Sequence, residues 1–166
     1  MTKKLYLIDS NILITAKNKY YQFVRVPEFW EWLNKLIDQG DIKIPIEILK
    51  ELTDGKDELK DWITKKRQTV LLDEPIVSVD AILEKGYEIS MQSITDSEFE
   101  TLSRDVFLIE YAYHDINNRV IVSNEISKPS KTGINSKIPD VCDRLRIKCI
   151  DIYGLIEILD FRTTEY

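Results

Sequence analysis

The chain has 166 residues, 23 basic and 29 acidic, for a formal net charge of -6, with 43% hydrophobic and 31% charged residues. These values fit one folded domain over residues 1–166. They exclude a disordered chain and a histone-like bulk binder of nucleic acid, which would be strongly basic, but leave room for an enzyme that handles phosphodiesters through a carboxylate-held metal.

In chain order, residues 4–8 read as a short strand buried on both faces, as in a central parallel strand. Asp9, Ser10 and Asn11 can cap the helix that follows, with Ile12, Leu13 and Ala16 on its inner side. An aromatic-rich helical stretch from Tyr20 through Phe29, Trp30 and Trp32 ends near Gly40, and residues 42–44 form a brief strand. Pro45 is expected to open the next helix, where its missing N–H costs nothing. Residues 57–67 read as a charged amphipathic helix and residues 75–87 as another. Residues 95–98 look like a helix start, residues 104–114 a helix, and residues 119–123 a strand. A polar loop over residues 128–137 leads to Pro139 and a further helix, then a strand at 148–152 and a helix at 153–159. Such alternation implies an α/β fold with a parallel sheet between helical layers.

The same pass narrows the chemistry. No run of about 18 uncharged apolar residues offers a membrane span. Asp9 interrupts the apolar stretch behind Lys3 and Lys4, which argues against an export signal and for a cytoplasmic protein. Cys142 and Cys149 form no CxxC pair, so reduced cysteines are expected rather than a zinc ribbon or disulfide framework. The scattered glycines form no phosphate-binding fingerprint, and a single histidine, His114, without a GxSxG motif gives no basis for a Ser/His hydrolase.

The carboxylates are more informative. In open parallel sheets ligands bind beyond the carboxyl ends of the strands, and Asp9 and Glu125 each follow a strand there. Asp9 alone reads equally as a helix N-cap, and Glu125 alone as a loop residue. Asp105 is the charged member of a helical stripe made with Leu102, Ile109, Ala112 and Ile116. A carboxylate so placed must be paired, hydrogen-bonded or bound to a cation. A place at a helix N-terminus, or an ion pair with Arg104 or Arg144, would also explain it. Glu51 projects from the edge of the apolar face made by Ile48, Leu49 and Leu52, while Glu47 is expected to point further out to solvent. Four acids from four separate elements would repel one another on converging. A hard divalent cation such as Mg²⁺ or Mn²⁺ removes that penalty and suits hydrolysis of a phosphodiester.

These residues fall into four ordered motifs. Tyr6-Leu7-Ile8-Asp9-Ser10-Asn11, Leu49-Lys50-Glu51-Leu52, Arg104-Asp105-Val106 through Ala112, and Val120-Ile121-Val122-Ser123-Asn124-Glu125 together resemble the PIN-domain family of metal-dependent ribonucleases, which includes toxins of toxin–antitoxin pairs. The likeness runs from about Lys4 to Ile152. It departs from the family in having Glu125 where Asp or Asn is commoner, and in a longer interval between Glu51 and Asp105. It is most similar to a longer PIN subfamily in which residues 16–21 and 138–142 recur.

The resemblance implies a PIN-like three-layer α/β/α sandwich. It further implies an endoribonuclease whose Asp9, Glu51, Asp105 and Glu125 are catalytic and hold Mg²⁺ or Mn²⁺. Asp140 is a candidate fifth acid, and Ser10, Asn11 and Asn124 are candidates for orienting a ligand or water. Implied partners are an RNA substrate, a protein antitoxin and a second copy of the chain; DNA meets the same metal–phosphate chemistry, which does not read a 2′-OH. Lys17, Lys128 and Lys131 are candidate phosphate contacts, against a plain reading as solvated lysines. The aromatic residues 20–32 are better explained by packing, an antitoxin groove or a dimer contact than by base stacking.

Two rival readings fit parts of the same pattern. A haloacid-dehalogenase-like phosphatase would need a second acid two residues after Asp9, where Asn11 stands. A non-catalytic PIN-like module binding RNA or protein would have no reason to gather four repelling acids.

Overall fold

Short apolar strands joined by amphipathic helices come together as a single sheet. A computed structural model describes residues 2–77 and 79–163. β1 (Leu5–Ile8) leads into α1 (Ser10–Thr15), which continues as a π-helical turn through Tyr20, and then into α2 (Pro27–Asp38). β2 (Ile42–Pro45) is followed by α3 (Ile46–Asp54), α4 (Glu58–Val70) and the two-residue β3 (Leu71–Leu72). α5 (Val79–Ala81) runs into a π-helical turn over Ile82–Tyr87, after which come α6 (Asp96–Tyr113) and β4 (Arg119–Val122). α7 (Ile138–Leu145), β5 (Lys148–Ile150) and α8 (Ile152–Ile158) complete the order.

The strands lie in the order β3-β2-β1-β4-β5 and all pair in parallel. Because successive side chains alternate across a strand, β1 and β4 feed two separate cores. Tyr6, Ile8, Val120 and Val122 pack into the layer holding α1 to α4 and α8, while Leu7 and Ile121 pack against α6, α7 and the Ile82–Tyr87 turn. The result is the three-layer α/β/α sandwich expected from the alternation. Among the described residues no helix is long and apolar enough to cross a membrane.

Several local expectations are corrected. Pro45 ends β2 and stands before α3 rather than inside it. Residues 73–77 are irregular, so the helix expected over 75–87 is reduced to α5 and its π-turn. Residues 95–114 hold one helix, not a start and a separate helix. Thr95 caps it: its hydroxyl accepts from the Glu98 N–H at 3.2 Å, and the Glu98 carboxylate accepts from the Thr95 N–H at 2.8 Å. Asp105 therefore sits in mid-helix, where the helix dipole gives it no support. β3 is too short to leave a period in the sequence. Glu47 is half-buried, not solvated: one carboxylate oxygen has no hydrogen-bond partner, and burial raises its pKa.

Most of the aromatic stretch packs in or against the core, with Tyr20 exposed and the expected continuous helix broken over residues 21–26. Phe29 and Trp30 are buried, the Tyr21 and Phe29 rings stack at 4.3 Å, and Phe23 stacks on Trp30 at 3.8 Å. Gly86 lets the Ile82–Tyr87 turn press onto α7. A Cβ there would lie 2.8 Å from Val141 Cγ1 and 2.9 Å from Leu145 Cδ1.

Candidate active site

The strand order reverses between β1 and β4, and in open α/β sheets that switch point opens a crevice at the carboxyl ends of the strands. The ladder runs one residue beyond each strand: Asp9 N–H donates to Val122 O at 3.0 Å, and Ser123 N–H to Ile150 O at 2.9 Å. Asp9 and Ser123 thus face each other across the switch point, and the Ser123 hydroxyl donates to Asp9 Oδ2 at 2.8 Å. Asp9 occupies the N-cap position of α1, yet its side chain makes no capping hydrogen bond. Its carboxylate is turned instead toward Ser123 and the cleft.

That cleft, about 240 Å³, is lined by Asp9, Ser10 and Asn11 from the β1–α1 junction, Ile48 and Glu51 from α3, Thr101, Arg104 and Asp105 from α6, and Glu125 after β4. All four acids of the sequence motifs therefore meet in one place. Asp9 is 5% exposed, and its pKa is pushed up to about 6, by burial first, with the Glu125 and Glu51 charges adding and the Ser123 hydrogen bond opposing. Asp105 is pushed up to about 7, again by burial first and then by the charges of Asp9 and Glu125. Both carboxylates are thus held where their charged forms are unfavourable, and a nearby positive charge would relieve that.

Two of the acids are held by other groups. Arg104 grips Glu51 in an ion pair at 2.6 Å, and among the described residues it is the one basic side chain lining the cleft. Glu125 Oε2 accepts from the Ile138 N–H at 2.7 Å, at the start of α7. As the side chains stand, no three His, Cys, Asp or Glu residues among those described are gathered closely enough to enclose an ion. The donor set nevertheless fits Mg²⁺ or Mn²⁺: hard carboxylate oxygens, those of buried Asp9 and half-buried Asp105 with their charge unfavourable, and hydroxyl and amide groups around them.

The remaining sequence candidates divide. Asn11 orients the site: its Nδ2 donates to Ser123 Oγ at 3.3 Å, and its Oδ1 accepts from the Asn124 N–H at 3.1 Å. Ser10 is buried in the lining. The Asn124 side chain accepts from the Ile152 N–H at 3.2 Å and braces the start of α8. Asp140 does not line the cleft. Its carboxylate accepts from Ser127 Oγ at 2.5 Å and the Lys128 N–H at 2.8 Å, which ties down the loop after Glu125. Lys17 is paired with Asp57 beside a separate depression that includes Asn18, Gln22 and Phe23. Lys131 lines a pocket that adjoins the cleft.

Sequence reasoning missed Ser123 as the partner of Asp9, and Thr101 and Arg104 as cleft residues. Thr101 stands four residues before Asp105, and that spacing places both on one helix face.

An α/β/α sandwich with an acidic cleft at its switch point is thus the class that fold and site define. The chain belongs to the family described as "Domain of unknown function (DUF4411)", matched over residues 6–163. No curated protein and no solved structure matches it.

Proposed function

We propose that the chain is a PIN-like, divalent-metal-dependent nuclease that hydrolyses RNA phosphodiesters. The observation that carries this reading is the meeting of Asp9, Glu51, Asp105 and Glu125 in one cleft, with Asp9 and Asp105 raised to about 6 and 7. A module that only binds a partner gains nothing from carboxylates held so unfavourably.

Asp9 and Asp105 would be the principal holders of Mg²⁺ or Mn²⁺, with Glu51 and Glu125 completing the set directly or through water. When bound, the ion would supply Lewis-acid polarisation of the phosphoryl group and lower the pKa of a bound water, so that it can attack as hydroxide. The chain's own residues prepare this. The Ser123 hydroxyl and Asn11 amide fix the Asp9 carboxylate in one orientation. The Ile138 N–H holds Glu125 at the rim. Arg104 offers a guanidinium at the same cleft, the group best shaped for a phosphate oxygen pair, once Glu51 is drawn away from it. The toxin role, with a protein antitoxin and a second copy of the chain as partners, follows from the four sequence motifs and is proposed with them.

The test is incubation of wild type and Asp9→Asn with a structured RNA pool, in Mn²⁺ or Mg²⁺ and in EDTA. Discrete cuts that need both the metal and Asp9 are expected. A metal titration read by thermal melting runs beside it. The reading is overturned if neither cation stabilises the wild type and no RNA is cut.

A further inference from the structure

The cleft does not end at Asp105 and Glu125. Those two residues and Thr101 also line a second, larger cavity of about 370 Å³, whose far wall is the loop after β4. That volume lies in the range of pockets that enclose a small ligand. Lys131 and Lys137 stand on the loop side, Leu102 and Ile134 supply apolar surface, and Ser97, Thr101, Asn135 and Ser136 supply hydroxyl and amide groups. Glu98, on the first turn of α6, also lines the cavity, its carboxylate engaged by the Thr95 N–H and hydroxyl of the helix cap. The two lysines are thus the cations of the loop wall, set against carboxylates from α6 and from the segment after β4.

The loop wall is fixed rather than loose. The Asp140 carboxylate clamps Ser127 and Lys128 at its near end. Ser136 is 7% exposed and accepts from Arg144 Nη1 at 3.2 Å at its far end. Between them, Lys131 N–H donates to Lys128 O at 2.9 Å, and Ser136 N–H to Gly133 O at 3.0 Å, where Gly133 takes a φ of +55° that favours glycine. Residues 128–137 contain three lysines and no acid in a chain of net charge -6. A polyanion gains nothing from the overall field of such a chain and must find its cations locally.

We propose that this cavity seats one nucleotide of a single-stranded nucleic acid, adjoining the phosphate presented to the acidic cleft. The base lies against Leu102 and Ile134, the Asn135 amide reads its edge, and Lys131 and Lys137 carry the neighbouring phosphates. A pocket of this size takes a base splayed from its strand, the usual mode of single-strand recognition, whereas a paired duplex keeps its bases stacked and offers none to it. The assignment rests on the phosphodiesterase reading for its orientation, and it gives Asp140 a positioning role as the clamp of the lysine loop.

Binding of labelled ribo- and deoxyribo-oligonucleotides, single-stranded and as hairpin duplexes, can be read by fluorescence anisotropy without turnover. The full-length chain carrying Asp9→Asn serves as the parent. Lys131→Ala with Lys137→Ala is expected to weaken single-strand binding about 10-fold or more at moderate salt and to flatten its log–log salt dependence by about 1.4, two phosphate contacts at about 0.7 each. Ile134→Asp is expected to weaken binding of every single strand, and Asn135→Ala to change the ranking among the four homopolymers. These residues sit on a surface loop, and melting curves of each variant verify that the fold is kept.

Unchanged affinity and salt slope in the double variant, or duplex bound as tightly as single strand, overturns the proposal. Pocket-dependent binding with no metal-dependent cleavage by the wild type would leave the pocket standing and remove the nuclease reading. Metal-dependent cleavage that the pocket variants do not alter would do the reverse.

Discussion

Replacing Asp105 by Asn measures how far the cleft is electrostatically strained without a cation. The wild-type carboxyl is raised from 3.8 to about 7, by burial first and then by the charges of Asp9 and Glu125. A carboxyl whose folded pKa exceeds its unfolded value favours the fold while it is protonated. That contribution is fully present below the unfolded pKa, is lost as pH rises through about 7, and leaves a constant penalty above it. At about 1.4 kcal/mol per pH unit, the interval from 3.8 to about 7 corresponds to about 4 kcal/mol at pH 8. Asn keeps the shape and cannot ionise, so the variant should recover about 2–4 kcal/mol at pH 8 in EDTA. For a chain of this length that raises the melting temperature by roughly 5–15 °C.

At pH 5 the folded carboxyl is mostly protonated but the unfolded one is already largely ionised, so only the interval from 3.8 to 5 still counts, and the advantage should fall to roughly a third to two fifths of this. Millimolar Mn²⁺ should reverse the order, stabilising wild type by mass action and leaving the variant little changed. Thermal melts of both proteins at pH 5 and pH 8, with EDTA or Mn²⁺, read all of this. A variant no more stable than wild type at pH 8, or one that Mn²⁺ stabilises equally, would refute the reasoning.

Three further outcomes follow from individual contacts. Ser123→Ala removes the hydroxyl that opposes the rise of Asp9; the Asp9 carboxyl should move above about 6, and stability should fall by about 1–2 kcal/mol at pH 8 with a smaller loss at pH 5, as followed by carboxyl NMR titration and urea melts. Arg104→Met frees Glu51 from its ion pair, so Mn²⁺ affinity by calorimetry should rise several-fold while RNA cleavage falls; a parallel drop in both would assign Arg104 a purely structural part. Gly86→Ala forces a methyl onto Val141 and Leu145 and should cost about 1–3 kcal/mol, with weakened cleavage, because α7 carries the Ile138 N–H that holds Glu125; urea melts and metal-dependent activity report the two effects.

The local patterns of the chain specified its fold class and most of its elements. β1 and β4 are runs of apolar residues short enough to be central parallel strands, α6 announces its start through Thr95 and Glu98, and Pro139 marks the opening of α7. These features depend on neighbours within a few residues, so they can be read along the chain. The four acids were legible for a related reason: each follows a strand or marks a helix face, and strand ends in a parallel sheet point to one edge.

What distinguishes the acids from one another arises across the sheet. Asp9 is oriented by Ser123, 114 residues away in sequence, rather than by the helix it precedes. Asp105 carries its unfavourable charge because α6 is continuous and buries it beside Asp9 and Glu125. Asp140 clamps a loop, and Lys17 is paired with Asp57 outside the cleft lining. Arg104, which sequence reading weighed as a partner for the adjacent Asp105, reaches Glu51 on another helix. Burial, ion pairing and cavity shape depend on which elements pack together, and packing is set by the whole chain rather than by any segment of it.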